Sequence, residues 1–238
     1  MTTPQMSTRH DHPVSRPVAL VTGASRGIGR AIAHALSSTH HVLVGGRDAD
    51  LVAQVVAALE SAEPFAVDLT DEAALARAVS GIERLDVLVH SAGVVAFGSL
   101  ADTTTQEWRD ALELNVVAPA TLTRLLLPAL RAAHGRVVFI NSGAGLTTHR
   151  GFSVYSASKF ALTALADALR LDERGRVRVT SVHPGRVATD MQAELSSLQG
   201  MPYIPDANLD PAEVARAVRT AVDLPPEASL DRIVINPV

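Results

Sequence analysis

Two side chains four residues apart, Tyr155 and Lys159 in the stretch S-V-Y-S-A-S-K-F, have the chemistry to move a proton together. A phenol has an unperturbed pKa near 10 and keeps its proton at neutral pH, so alone it is a sluggish base. A nearby cation stabilises the phenolate and brings the group toward working range. Positions i and i+4 share a helix face, which sets the ammonium one turn from the phenol. Lys159 is the sole lysine, so 20 of the 21 lysine and arginine residues are arginine. The plain alternative is a buried tyrosine beside a snorkelling surface cation, but a surface cation in this chain would be arginine.

Thirteen residues before Tyr155, Ser142 follows the apolar run R-V-V-F-I-N and offers a hydroxyl that can donate to a substrate oxygen. Its neighbour Asn141 competes for that role by chemistry. Asn115, in L-E-L-N-V-V, sits inside a helical pattern where asparagine is mildly unfavourable. A buried amide there could interrupt the backbone ladder and hold a water leading to the lysine.

A second constellation is T-G-A-S-R-G-I-G: Thr22, Gly23, Ala24, Ser25, Arg26, Gly27, Ile28 and Gly29. Glycines let a backbone turn tightly and approach a pyrophosphate, and a helix N-terminus offers free N–H groups with a favourable dipole. The loop follows the apolar run P-V-A-L-V-T and opens a helical pattern, the context a dinucleotide site requires.

These residues need a scaffold, and the chain alternates short β-branched runs with amphipathic stretches rich in alanine and leucine. Strands are expected at 17–22, 41–46, 65–67, 85–90, 136–141, 176–182 and 232–236. Helices are expected near 29–38, 51–60, 71–80, 106–133, 153–172 and 211–222, with Pro119 and Pro128 kinking or breaking the long one. Nearly all-apolar strands separated by helices imply a parallel sheet covered on both faces. The expected fold is therefore α/β: a single-domain, doubly wound, Rossmann-type parallel sheet of about seven strands, with ligands at the strands' carboxyl ends.

On these motifs the chain resembles the classical short-chain dehydrogenase/reductase family over about residues 17–238. The glycine spacing G-x-x-x-G-x-G, the Y-x-x-x-K pair and the order of motifs carry the likeness. The resemblance implies a tetrad of Asn115, Ser142, Tyr155 and Lys159, with Ser142 chosen over Asn141 by its distance from the tyrosine. It implies an adenine-edge contact at Asp68-Leu69, and a nicotinamide segment at Pro184-Gly185-Arg186-Val187-Ala188-Thr189. Ser91-Ala92-Gly93 follows the fourth strand, with serine where the family usually has asparagine, which puts fine positioning in doubt. A substrate pocket of Val94, Leu146, Phe152, Val187 and Met191 and a mobile lid over 194–208 are further expectations.

The second strand ends V-L-V-G-G-R-D. An NAD site would place a carboxylate at its tip, where this chain has Gly46 and then Arg47. A guanidinium there, with Arg26 opposite, suits a 2′-phosphate and points to NADP(H). Asp48 could face the ribose if the strand ran longer, or cap the next helix. The expected reaction is reversible hydride transfer between NADP(H) and a carbonyl/alcohol pair. A catalytically silent dinucleotide sensor and a nucleotide-sugar epimerase are the alternatives.

Composition narrows the rest. The formal net charge is −4 with scattered arginines, which argues against nucleic-acid or anionic-membrane partners. Zero cysteines excludes disulfides and thiolate metal sites, and no metal site is expected. No apolar run approaches the ~20 residues of a membrane span, and the polar N-terminus, including His10 and His12, reads as a disordered tail over residues 1–16. A cytoplasmic protein is expected. The helices at 106–133 and 153–172 are apolar on more than one face and, in the family, form subunit interfaces, so a homodimer or homotetramer is implied.

Overall fold

The computed structural model describes residues 16–238, so the expected tail, with His10 and His12, lies outside the described residues apart from Arg16. In chain order the elements are β1 (Val18–Val21), α1 (Gly27–Ser37), β2 (His41–Gly46), α2 (Ala49–Ala57), β3 (Ala62–Ala66), α3 (Glu72–Val79) and β4 (Val87–His90). There follow α4 (Thr105–Leu112), α5 (Ala118–Ala133), β5 (Arg136–Ile140), α6 (Ser153–Asp172), β6 (Arg178–Pro184), α7 (Asp190–Leu198), α8 (Pro211–Asp223) and β7 (Arg232–Ile235). The strands form one parallel seven-stranded sheet ordered β3-β2-β1-β4-β5-β6-β7. The order reverses between β1 and β4, and a crevice at that switch point is where such sheets bind ligands.

Successive strand residues point to opposite faces, and the two faces differ in side-chain size. Ala19, Val21, Val42, Val44, Val87 and Val89 meet α1, α2 and α8 through Ile32, Leu36, Val52 and Val218. Leu20, Leu43, Leu88 and Phe139 face the other way, onto α3, α5 and α6 through Leu75, Leu126, Leu130 and Leu162. Apolar burial on both faces is what makes these strands read as unbroken hydrophobic runs.

Besides α7, which is not among the expected helices, two elements depart from the sequence expectation. The third strand lies at Ala62–Ala66 rather than 65–67 and contains Pro64. Among the described residues it is an edge strand paired only with β2, and Val67 donates to the Gly46 carbonyl. By the two-residue period, the nitrogen of Pro64 faces away from β2, so its missing N–H costs no rung of the ladder.

The long helix is not continuous: between α4 and α5 the backbone makes a π-turn at Glu113–Val117, where Ala118 N–H reaches back five residues to Glu113. Pro119 has no N–H to give Asn115 four residues earlier, so the α-helical pattern must break there. Pro128 is tolerated inside α5. Taken as one stretch, Thr105–Ala133 is long and apolar enough by length and composition to cross a membrane, which inspection of apolar runs alone did not anticipate. Here Leu122, Leu126 and Leu130 from it lie in the core against the sheet.

Phe139 is fully buried mid-sheet and stacks on the His90 ring at 4.9 Å. Phe139→Ala is expected to cost about 3–5 kcal/mol of unfolding free energy. Denaturant unfolding checks this, and a cost under about 1 kcal/mol would contradict the assigned core.

Candidate active site

The glycine loop leaves β1 at the switch point and is stitched to both neighbouring strands. Ala24 N–H donates to the Gly45 carbonyl at 2.7 Å. Thr22 Oγ1 accepts from the backbone N–H groups of Ser91 (3.1 Å) and Ala92 (3.2 Å) and donates to the Val89 carbonyl. Thr22 thus lines the cleft wall, but its hydroxyl is taken up in bracing the loop after β4. Gly23 has φ +63°, and a Cβ there would stand 2.7 Å from Ala92 Cα. At Gly29 a Cβ would stand 2.3 Å from the Gly23 carbonyl oxygen, so the first turn of α1 can close on the loop only without a side chain.

One cleft is lined by this loop (Gly23, Ser25, Arg26, Gly27, Ile28, Gly29), by Gly46 and Arg47 at the end of β2, by Leu69, and by Ser91, Ala92, Gly93 and Val94 after β4. Tyr155, Lys159, Thr189 and Met191 close it from the other side. Tyr155 and Lys159 therefore share one crevice with the glycine loop, while Asn115 and Ser142 are not part of its lining. Its glycine-walled phosphate end, at the N-terminus of α1, fits a dinucleotide.

Not every expected residue faces that cleft. The Asp68 carboxylate accepts from the N–H and hydroxyl of Thr70, and these bonds hold its pKa below the usual range. Pro184 is buried at the end of β6, and Gly185 N–H donates to the Ile235 carbonyl. Val187 is 5% exposed and packs in the core, with a bridge to Leu209. Thr189 caps α7 by accepting from Gln192 N–H. Asp48 caps α2 by accepting from Asp50 and Leu51 N–H, which settles its two possible roles in favour of the cap. The segment 194–208 is not all loop: α7 runs to Leu198 and a short 3-10 turn forms at Pro205–Ala207.

The four tetrad residues come from three elements. Asn115 is 1% exposed in the π-turn, and its amide pairs with Val94 like a strand rung, Oδ1 accepting from Val94 N–H and Nδ2 donating to the Val94 carbonyl, each at 2.9 Å. Its Nδ2 also donates to Ser158 Oγ (3.0 Å), which in turn donates to the Tyr155 carbonyl. Ser142 follows β5. Its N–H donates to Asn141 Oδ1 at 2.9 Å, and its Oγ accepts from Ala144 N–H at 3.1 Å. Tyr155 and Lys159 lie on α6, with Nζ 5.7 Å from the phenol ring centroid.

The Asn141 amide is already engaged: its Nδ2 donates to the Lys159 carbonyl (3.2 Å) and to Thr163 Oγ1 (2.9 Å), fastening the Ser142 loop to α6. Of the expected pocket residues, Val94 and Met191 line the cleft, and Leu146 follows the turn after Ser142. The Phe152 ring centroid is 6.2 Å from that of Tyr155. Phe97, which the sequence reading missed, meets Phe152 edge-on at 5.5 Å, and no spacing rule links residues so far apart in the chain.

The electrostatics differ from expectation. Burial pushes the Tyr155 phenol above its ordinary value, and a hydrogen bond with the Ser142 side chain only partly offsets this. Burial also lowers Lys159 from 10.5 to about 8. The ammonium is 5% exposed and donates to the Ile140 carbonyl at 3.2 Å. Desolvation disfavours both charged forms, so a protonated phenol beside a weakened ammonium is the favoured pair.

Between about pH 8 and 10.5 the unfolded chain binds more protons at this lysine than the folded one, so this group's cost fades as pH rises and is greatest at neutral pH. Lys159→Met is therefore expected to stabilise the protein at pH 7 by up to roughly 3 kcal/mol, at ~1.4 kcal/mol per pH unit, and by little above pH ~10.5. Thermal unfolding at the two pH values checks it. A variant less stable than the parent at pH 7 contradicts it.

Known proteins resemble this chain in sequence and in fold. The family model described as short chain dehydrogenase matches residues 17–200. An uncharacterized short-chain type dehydrogenase/reductase of Sinorhizobium fredii is 35% identical over 95% of this chain and 94% of that protein. Glycine betaine reductase of Emericella nidulans is also 35% identical over 98% of this chain, but the chain spans only 20% of that protein's length. Among solved structures, a metagenomic short-chain oxidoreductase in complex with NADP superposes with a TM-score of 0.78 at 32% identity, covering 94% of this chain and 98% of that one. The seven-stranded parallel sheet, the glycine loop at its switch point and these matches together mean that the chain belongs to the short-chain dehydrogenase family.

Proposed function

We propose that this protein is an NADP(H)-dependent oxidoreductase that interconverts a carbonyl and a secondary alcohol on a small to medium, mostly apolar substrate. The observation that carries the reading is the meeting of Tyr155 and Lys159 with the glycine loop in one cleft. A nicotinamide dinucleotide bound there supplies or accepts the hydride.

The chain's own residues handle the proton and the orientation. Tyr155, fully protonated at neutral pH, donates its phenolic proton to the carbonyl oxygen in reduction. Ser142 holds that oxygen beside the phenol. Lys159 stabilises the phenolate left behind, and Asn115 keeps α6, the π-turn and the loop after β4 in register. The cleft walls at Val94 and Met191, with the Phe152 ring 6.2 Å from that of Tyr155, favour an apolar substrate. We further propose a homo-oligomer, because Val117 and Phe160 remain 45% exposed on the π-turn and α6.

NADP(H) is favoured because β2 ends at Gly46, Arg47 follows exposed, and the nearby Asp48 carboxylate is committed to its cap. Arg26, opposite, makes only a loose 4.0 Å pair with Asp190 between exposed side chains. The similar oxidoreductase solved with NADP supports this choice.

NADPH oxidation against a panel of ketones, aldehydes, quinones and β-ketoacyl thioesters tests the activity. Tyr155→Phe is expected to lose at least about 100-fold in kcat, and Lys159→Arg to fail despite keeping its charge, because a guanidinium is bulkier and holds its proton more firmly. Tight NADPH binding with no turnover on any substrate would instead support a silent sensor. In titrations, Arg47→Ala is expected to weaken NADPH binding by about tenfold or more while leaving NADH within about twofold, the loss of charge-assisted hydrogen bonds. Equal affinity of the parent for both dinucleotides would overturn the cofactor preference.

A further inference from the structure

We infer that His183 is a positioning residue for the reaction, holding the reactive serine in place through its carbonyl. His183 lies on β6 and is 0% exposed. Its Nδ1 stands 3.0 Å from the Ser142 carbonyl oxygen and its Nε2 stands 2.9 Å from Ser181 Oγ. A carbonyl only accepts, so Nδ1 carries the hydrogen; Nε2 then accepts from the Ser181 hydroxyl, which shares its strand face. Burial lowers the imidazole pKa, the charges of Arg232 and Lys159 act in the same direction, and Asp167 and the bond to Ser142 act against it. The neutral Nδ1–H tautomer is thus the one this site selects.

Ser142 is held at three atoms. Asn141 Oδ1 takes its N–H, Ala144 N–H reaches its Oγ and Gly145 N–H reaches its carbonyl at 3.0 Å, all three from the same loop. The bond from His183 comes from 41 residues away, on the strand that continues into Pro184 and Gly185. The β5–β6 ladder reaches Asn141 N–H to the Val182 carbonyl at 2.8 Å, and Pro184 has no N–H to extend it. That missing rung would end on the Asn141 carbonyl; the imidazole ties the strand instead to the next carbonyl, that of Ser142. It fixes the hydroxyl that orients the substrate oxygen relative to the segment after β6. A displacement of that hydroxyl acts on the chemical step and leaves dinucleotide binding at the distant glycine loop unchanged.

This assignment rests on the oxidoreductase reading above, so its test has one arm that needs no activity. Nitrogen-15 NMR of the histidine rings is expected to show His183 as the Nδ1–H tautomer, and the Nε2–H tautomer would overturn the assignment outright. In the second arm, His183→Asn places an amide N–H where Nδ1 stood, whereas His183→Gln places it near Nε2. The Asn variant is expected to keep kcat within about threefold and the Gln variant to lose about tenfold or more, with the NADPH Kd of each within about threefold of the parent. Equal kcat values for the two folded variants would mean that His183 only fills space. A parent protein that binds NADPH and reduces nothing overturns the oxidoreductase reading, and the kinetic role with it, whichever tautomer is seen.

Discussion

A single buried ammonium organises this site. Water is withdrawn from Lys159, which keeps the Ile140 carbonyl as its hydrogen-bond acceptor, and its affinity for a proton falls accordingly. Burying a cation with one neutral partner is costly, and such groups persist where the surroundings over-determine them. Here the lysine's own carbonyl is fastened by Asn141. The helix carrying it is tied through Ser158 to Asn115, and Asn115 sits in a turn of irregular pitch. Loosening any of these lets water back to the ammonium and restores its ordinary basicity.

The same desolvation explains why the phenol behaves contrary to a reading based on proximity alone. Four-residue spacing brings a cation near Tyr155, but burial keeps the proton on the oxygen and only the hydrogen bond with Ser142 acts against it. A pair with a retained proton is suited to giving one away during reduction. In the oxidative direction the phenol must first be deprotonated, which calls for added positive charge nearby.

Much of this was legible in the sequence because it depends on local periodicity. Apolar runs marked the strands, the glycine loop stood between a strand and a helix, and Tyr155 and Lys159 shared a helix face. Ser142 needed only a distance along the chain. What stayed hidden was tertiary. Thr22 lines the cleft as expected, but that its hydroxyl also braces Ser91 and Ala92, in a loop about seventy residues away, had no local signal. Asn141 read as a rival donor to the substrate oxygen, and the engagement of its amide with Lys159 and Thr163 is visible only in three dimensions. His183 carried no local signal, because a histidine inside an apolar strand reads only as a buried ring. The third strand was misplaced because Glu63 and Pro64 are poor strand formers, acceptable only at an edge.

That edge has a bearing on how the molecule meets its neighbours. A parallel sheet ends in rows of unpaired backbone groups that invite another strand to add on, the route by which many sheets aggregate. On the β3 side the outward row is interrupted at Pro64, which offers no donor, and the exposed Glu63 brings charge to the same strand. Sheet extension by further strands is therefore blocked on one flank and must use the β7 flank if it occurs at all. A residue that spoils a strand prediction thus works as a terminator, giving the sheet a closed side and an open one.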